Sequence, residues 1–268
     1  MKTYILRLSI FIAVASFASC DNATKTADTM DAKDDVTVAE MKYTISPFSE
    51  SPAFTDAAIQ SMDYQNGKFN FGVTGSEYKL GNQTPDAEVK MCANSSKGQH
   101  IHLIVDNEPY AAKYTADFDY EIADGEHYLL AFLSRSYHES IKTDQANVAQ
   151  KIEVKNNSIV AGEDIKEPML FYSRPKGTYV GQKDTEKIML DFYLANTTLA
   201  ANGNKVKAEI NGEEHMFDKW QPYFIEGLPM GDNTITLTLV DKDGKTVDTP
   251  LNPVTRTFKL EKDPAPAD

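Results

Sequence analysis

Apolar and polar residues alternate in short runs along most of this chain, with turn residues between the runs and no long amphipathic helical stretch. A period of two is the mark of half-buried β-strands. Phe69, Phe71 and Val73 alternate with Asn70 and Gly72, and Ile101, Leu103 and Val105 alternate with His100, His102 and Ile104. Tyr128 to Leu133 forms a later run, introduced by Asp124-Gly125. The same phases return downstream in Leu190-Phe192-Leu194, in Val206-Ala208-Ile210, and in Thr234 to Leu239 after Gly231-Asp232. Asp243-Gly244 supplies the turn of the next hairpin.

The recurrence is a duplication. His102-Leu103-Ile104-Val105-Asp106-Asn107 aligns with Lys207-Ala208-Glu209-Ile210-Asn211-Gly212, Lys113-Tyr114 with Lys219-Trp220, Phe118 with Phe224, and Gly125 with Gly231. Further on, Ile152 and Val154 meet Phe258 and Leu260. Roughly seven strands per ~100 residues, twice over, predicts an all-β protein of two tandem immunoglobulin/fibronectin-III-like β-sandwich domains. The expected bounds are 44–160 for the first and 165–262 for the second, with a solvated tail at 263–268.

The amino end is of another kind. Lys2 and Arg7 precede a short apolar run from Ile10 to Ala18, followed by Ser19 and Cys20. This segment resembles a bacterial lipoprotein signal peptide, which implies that residues 1–19 are removed and that Cys20 is lipidated. Residues 20–43, acidic and poor in large apolar side chains, read as a flexible tether. Together they imply an exported protein anchored by acyl chains to the lipid bilayer of the cell envelope, at the outer membrane or cell surface.

Charge narrows the partners. With 27 basic and 40 acidic residues the chain carries a net −13, which repels phosphate backbones and sets nucleic acid aside. Beyond the leader only Arg135, Arg174 and Arg256 are arginines, and they are far apart in sequence. Once Cys20 is lipidated, Cys92 is the one remaining thiol, so no disulfide within a domain is expected.

Duplication lets one copy serve as a control for the other. His100, His102, His127 and His138 all lie in the first copy, and none meets a histidine in the second. Strand geometry puts His100 and His102 on one face about 7 Å apart, where a single ion can reach both. Antiparallel pairing of their strand with Tyr128 to Leu133 brings His138 to the same end. The same pairing sends His127 to the opposite end, towards Asp106 and Asn107. The first copy also spends 31 residues between Phe71 and His102 where the second spends 15 between Phe192 and Lys207. The surplus holds Met91 and Cys92, so His100, His102, His138, Cys92 and Met91 form a candidate site for copper or zinc.

Other readings stand beside it. Outward-facing Ile104, Tyr128, Leu130 and Phe132 replace Glu209, Thr234, Thr236 and Thr238 of the second copy. That exchange marks a covered face: under the chain's own long loop, the other domain, or a protein or small-ligand partner. Histidines within such an interface can simply be hydrogen-bonded there. Cys92 with a histidine is a weak candidate for a Cys-dependent hydrolase, and nothing else points to catalysis.

The stretch Gly98-Gln99-His100-Ile101-His102-Leu103-Ile104-Val105-Asp106-Asn107, with Leu133-Ser134-Arg135-Ser136-Tyr137-His138-Glu139-Ser140, resembles a family of poorly characterised Gram-negative lipoproteins, some of them labelled phosphopeptide-binding. The resemblance implies the same architecture and export, and offers Arg135 and His138 as candidate phosphate-binding residues. The sequence therefore predicts an exported, lipid-anchored, non-catalytic binding or interaction protein.

Overall fold

The computed structural model describes residues 43–264. The leader, Cys20, the tether before Tyr43 and the tail beyond Pro264 lie outside the described residues. The chain opens on β1 (Thr44–Pro47). In the first sandwich, a sheet of β2 (Ala58–Gln65), β3 (Lys68–Thr74) and β6 (Asp117–Asp119) faces a five-stranded sheet. The larger sheet runs in the order β5 (Ala111–Lys113), β4 (His100–Val105), β7 (Gly125–Ser134), β8 (Asn147–Lys155) and β9 (Ser158–Asp164).

The second sandwich repeats the plan. A sheet of β1, β15 (Tyr223–Glu226), β12 (Lys187–Ala195) and β10 (Met169–Arg174) faces a second five-stranded sheet. That sheet is ordered β11 (Gly177–Val180), β17 (Val254–Glu261), β16 (Gly231–Val240), β13 (Lys205–Ile210) and β14 (Glu213–Phe217). With β1, β9 and β11 set aside, strands one, two and five of each copy form the smaller sheet and the rest the larger. This is the strand order of fibronectin type III modules, so the chain is all-β and immunoglobulin-like. No helix among the described residues is long and apolar enough to cross a membrane.

The alternation explains the cores. Phe69, Phe71, Ile101, Leu103, Leu129, Ala131, Leu133, Ile152 and Val154 fill the first sandwich, on every second position of their strands. Leu190, Phe192, Val206, Ala208, Ile235, Leu237, Phe258 and Leu260 do the same in the second. The two copies share their register. Ile101, Leu103 and Val105 face Leu133, Ala131 and Leu129, as Val206, Ala208 and Ile210 face Leu239, Leu237 and Ile235. Even the turn after the strand matches: Asp106 Oδ1 accepts the Tyr128 N–H at 2.8 Å, and Asn211 Oδ1 accepts the Thr234 N–H at 2.9 Å.

The copies differ in what covers the outer face. All six residues of β4 are buried, where β13 keeps three of its six only partly buried or exposed. Ile104, Leu130 and Phe132 pack against Met169, Phe171 and Tyr193 of the second sandwich, with the Phe132 and Tyr193 rings stacked at 5.1 Å. Hydrogen bonds fasten the same contact. The Asn107 side chain donates to Leu170 O at 2.8 Å and accepts the Tyr172 N–H at 2.8 Å, and the Ser140 N–H donates to Asp191 at 3.0 Å. The covered face expected from sequence is therefore an internal interface between the sandwiches. Ile104, Leu130 and Phe132 are fully buried there and Tyr128 half-buried at its margin, so these four are not a free surface for a partner.

The expected domain bounds need correction at both ends. Residues 44–47 belong to the second sandwich, where Ile45 pairs with Ile225 on the edge of β15. The first sandwich runs instead from β2 to Asp164, because β9 pairs along β8 and extends past residue 160. A four-residue strand carries too little pattern to announce a partner so distant in sequence. Ser49 and Glu50, leading away from β1, are held by the long loop of the first sandwich, whereas Phe48 stays on the second. Lys90 Nζ donates to the carbonyls of Ser49 and Glu50, and Phe48 packs on Phe224 at 4.4 Å.

Removing one interface ring tests how firmly the halves depend on each other. Phe132→Ala should cost about 3–5 kcal/mol of stability, the usual effect of emptying a buried aromatic site. Urea denaturation reads it, and an unchanged midpoint would show that the contact between the sandwiches contributes nothing.

Candidate metal centre

Gly98 begins the local construction. It has φ +86, and a Cβ there would meet Gly81 O at 2.4 Å and Asn82 O at 2.5 Å, so only glycine lets the long loop close on the start of β4. The Gln99 N–H donates to Asn82 O and the Gly81 N–H to Gln99 O, locking the loop to the strand. With the loop closed, Gly98 O lies 2.8 Å from His100 Nδ1 and accepts its proton. That bond sets the tautomer, leaving His100 Nε2 as a bare lone pair facing inward.

Pairing of the strands supplies the rest. His100 lies opposite Ser134 and His102 opposite Phe132 on β7. Beyond β7 the chain turns through Arg135 to His138, where the His138 N–H donates to Arg135 O and the backbone adopts φ 71. A left-handed conformation is uncommon for a residue other than glycine, and it aims the His138 ring back at the strand pair. His100 Nε2 then lies 2.9 Å from His102 Nε2 and 3.0 Å from His138 Nδ1, with His102 Nε2 to His138 Nδ1 at 3.3 Å. The Tyr110 ring stacks on His102 at 3.7 Å, and its hydroxyl is 3.3 Å from His138 Nδ1.

Three hydrogen bonds cannot serve that triangle. His100 Nε2 offers one lone pair and no proton, so at most one neighbour donates to it well, and whatever tautomers the other two adopt, at least one of the three contacts sets like against like. A cation satisfies all three at once. Ligands at ~2.0–2.1 Å in a tetrahedron stand about 3.3 Å apart, so the observed spacings need only a slight expansion.

Burial keeps the rings neutral, the form a metal requires. It pushes the His100 pKa down from 6.5 to about 4, opposed by the bond to Gly98 O. His102 and His138 are held well below 6.5, again chiefly by burial, then by neighbouring positive charge including Arg174 and Lys176.

Not every expected ligand arrives. Cys92 is buried among Ala87, Tyr137, Met189 and Phe224 and is not among the atoms that converge. Burial raises its thiol to about 11, so it is a protonated small hydrophobe rather than an activated nucleophile. Met91 is 55% exposed and lines a separate cleft of about 520 Å³ with Thr84, Glu88 and Lys183. The loop carrying both turns towards the second sandwich, and its contribution to the triad is the Gly98 carbonyl. Arg135 is also directed elsewhere, donating to Pro52 O and lying 3.6 Å from Glu139, so it does not join His138 in a phosphate site. His127 bonds Asp106 at 2.6 Å and Ala123 O at 2.9 Å, serving the turn.

Sequence reading missed Arg174 and Lys176. Arg174 is buried on β10 and donates to Tyr137 O, one residue from His138; the Lys176 ammonium lies 4.2 Å from the Tyr110 ring centroid. Only the rarity of arginine in this chain hinted at the first.

No family model matches the chain, and no curated protein matches it. Among solved structures it is similar to fibronectin(III)-like modules of Clostridium thermocellum CbhA, at 13% identity, 36% of this chain, 100% of that chain and a TM-score of 0.28. It is also similar to the central fibronectin-III array of RIM-binding protein, at 10% identity, 80% of this chain, 73% of that chain and a TM-score of 0.26. A third match, the extracellular domain of a hybrid two-component system from B. thetaiotaomicron, has 9% identity, 81% and 40% coverage, and a TM-score of 0.27. At these scores the fold rests on the strand order itself.

The depressed histidines make acid stability a readout of the triad. In chelator-treated protein, the unfolded chain takes up protons near pH 6.5 while folded His100 resists until about 4. The unfolded state thus binds more protons across that window, and stability should fall as the pH falls through it. Urea midpoints measured along the window should slope downward towards acid and flatten in His138→Asn; parallel curves for the two proteins would contradict the assignment.

Proposed function

We propose that this is a lipid-anchored, non-catalytic binding protein of the cell envelope whose working element is a copper or zinc centre at His100, His102 and His138. The observation that carries the reading is the triangle of imidazole nitrogens, spaced 2.9–3.3 Å apart and short of protons. The corresponding outward positions of the second copy hold Lys205 and Lys207, so the fold itself does not demand histidine there. The second sandwich closes over the site, with Ser173 Oγ 3.4 Å from His102 Nδ1. A dry wall of this kind slows loss of a bound ion and suits retention more than turnover. Export and anchoring are supported by the leader and Cys20, in their resemblance to lipoprotein signals.

Elemental analysis of protein purified without chelator or histidine tag should find about one copper or zinc per chain. His138→Asn keeps a residue that tolerates the left-handed backbone, and with His100→Gln it should weaken zinc or anaerobic copper(I) binding by about 100-fold or more. Uptake that survives both substitutions unchanged would refute the centre.

A further inference from the structure

The charges around the triad do not balance. Arg174 is 4% exposed, yet its guanidinium donates only to neutral acceptors, Tyr137 O at 3.2 Å and the Tyr179 hydroxyl at 2.9 Å. Its Nε is buried with no partner. A buried charge left in this state is unfavourable unless something compensates it. The carboxylates that could do so are committed elsewhere. Asp191 stands opposite Arg174 in the β10–β12 register, but it accepts from Lys142 at 2.7 Å and from the Ser140 N–H at 3.0 Å. Glu139, next to His138 in sequence, is turned to Ser51 and Arg135.

A second cation adds to the excess. Lys176 is half-buried, with its ammonium 4.2 Å from the centroid of the Tyr110 ring that itself stacks on His102. Among the described residues it makes no ion pair within 4.0 Å, in contrast to the likewise partly buried lysines at 142, 151 and 187. A divalent metal on three neutral imidazoles would therefore enter a region already holding the buried, unpaired Arg174 charge, with the Lys176 charge at its rim. The same three imidazoles cap only one side of a tetrahedral ion and leave its fourth position for an exogenous ligand.

We propose that the triad takes its divalent metal together with a small oxyanion, which fills the fourth coordination position and is held by Arg174, Lys176 and the Tyr110 hydroxyl. This rests on the triad being a metal centre. The anion displaces water from the metal, accepts hydrogen bonds from the unpartnered Arg174 Nε–H and from Tyr110, and cancels charge that the protein leaves unpaired. Planar guanidinium and point-like ammonium together suit a carboxylate or a tetrahedral oxyanion. Metal and anion then bind with positive coupling, each raising the affinity for the other.

Zinc titration of the full mature protein by calorimetry tests the coupling, in a buffer with nitrate as the sole added anion and again with acetate or sulfate. Acetate or sulfate should tighten zinc binding about tenfold or more, a coupling of ordinary size. Cobalt(II)-loaded protein should show saturable shifts of its visible bands under the same additions. A response to acetate alone identifies a carboxylate as the preferred class, and a response to sulfate alone a tetrahedral oxyanion. Lys176→Met, at the rim, should lose most of the anion effect while keeping zinc; Arg174→Met should do the same if it folds. Equal zinc affinity with and without anion, or an undiminished anion effect in Lys176→Met, overturns the proposal and leaves the metal centre standing. Failure to bind zinc or cobalt in any buffer overturns this inference, and failure to take up anaerobic copper(I) as well overturns the metal centre with it.

Discussion

The dry contact between the outer face of the first sandwich and the second sandwich is what everything else depends on. Ile104, Leu130 and Phe132 meet Met169, Phe171 and Tyr193 with no exposed surface left on the first three. Burying such side chains contributes about 1.5–3 kcal/mol each, enough to hold polar groups of the same face out of water. His100 and His102 share that face by strand periodicity, so they are dehydrated along with the apolar residues. Their neutrality follows from that burial, while the bond to Gly98 O turns the bare lone pair of His100 inward. An exposed copy of the same strand, with its histidines hydrated, would lose the first of these properties.

The duplicated scaffold shows how little backbone change this takes. Strands β4 and β13 pair with β7 and β16 in the same register, and the following turns use equivalent side-chain caps. What differs is the second row of side chains. Glu209 is exposed and Thr236 half-buried in one copy, whereas the fully buried Ile104, Leu130 and Phe132 turn the other into half of an interface. Asn107 stands where the second copy has Gly212, and it supplies hydrogen bonds to β10 that glycine cannot.

Much of this was legible in the sequence because strand logic is local. Period-two alternation gives the strands, antiparallel pairing brings His138 to His100 and His102, and the same pairing sends His127 to the far turn. The apolar substitutions on the outer face announced a cover. What stayed hidden depends on contacts remote in sequence. Ile45 joins Ile225 across the length of the chain, and a four-residue strand has no pattern strong enough to say so. Cys92 and Met91 sit beside the histidines in sequence, but the loop closes through Gly98, buries Cys92 against Met189 and Phe224, and leaves Met91 exposed. Arg174 reaches the site from the other sandwich, where spacing along the chain carries no information about it.

The placement of β1 has a kinetic meaning. The first sandwich is not an end domain hung from a single linker: the chain leaves the second sandwich after Pro47 and returns to it at Met169. Two covalent connections bracket the interface, and one is further held by Lys90 on Ser49 and Glu50. Swinging the sandwiches apart about one hinge is therefore obstructed, since the second connection and its fastenings must give way as well.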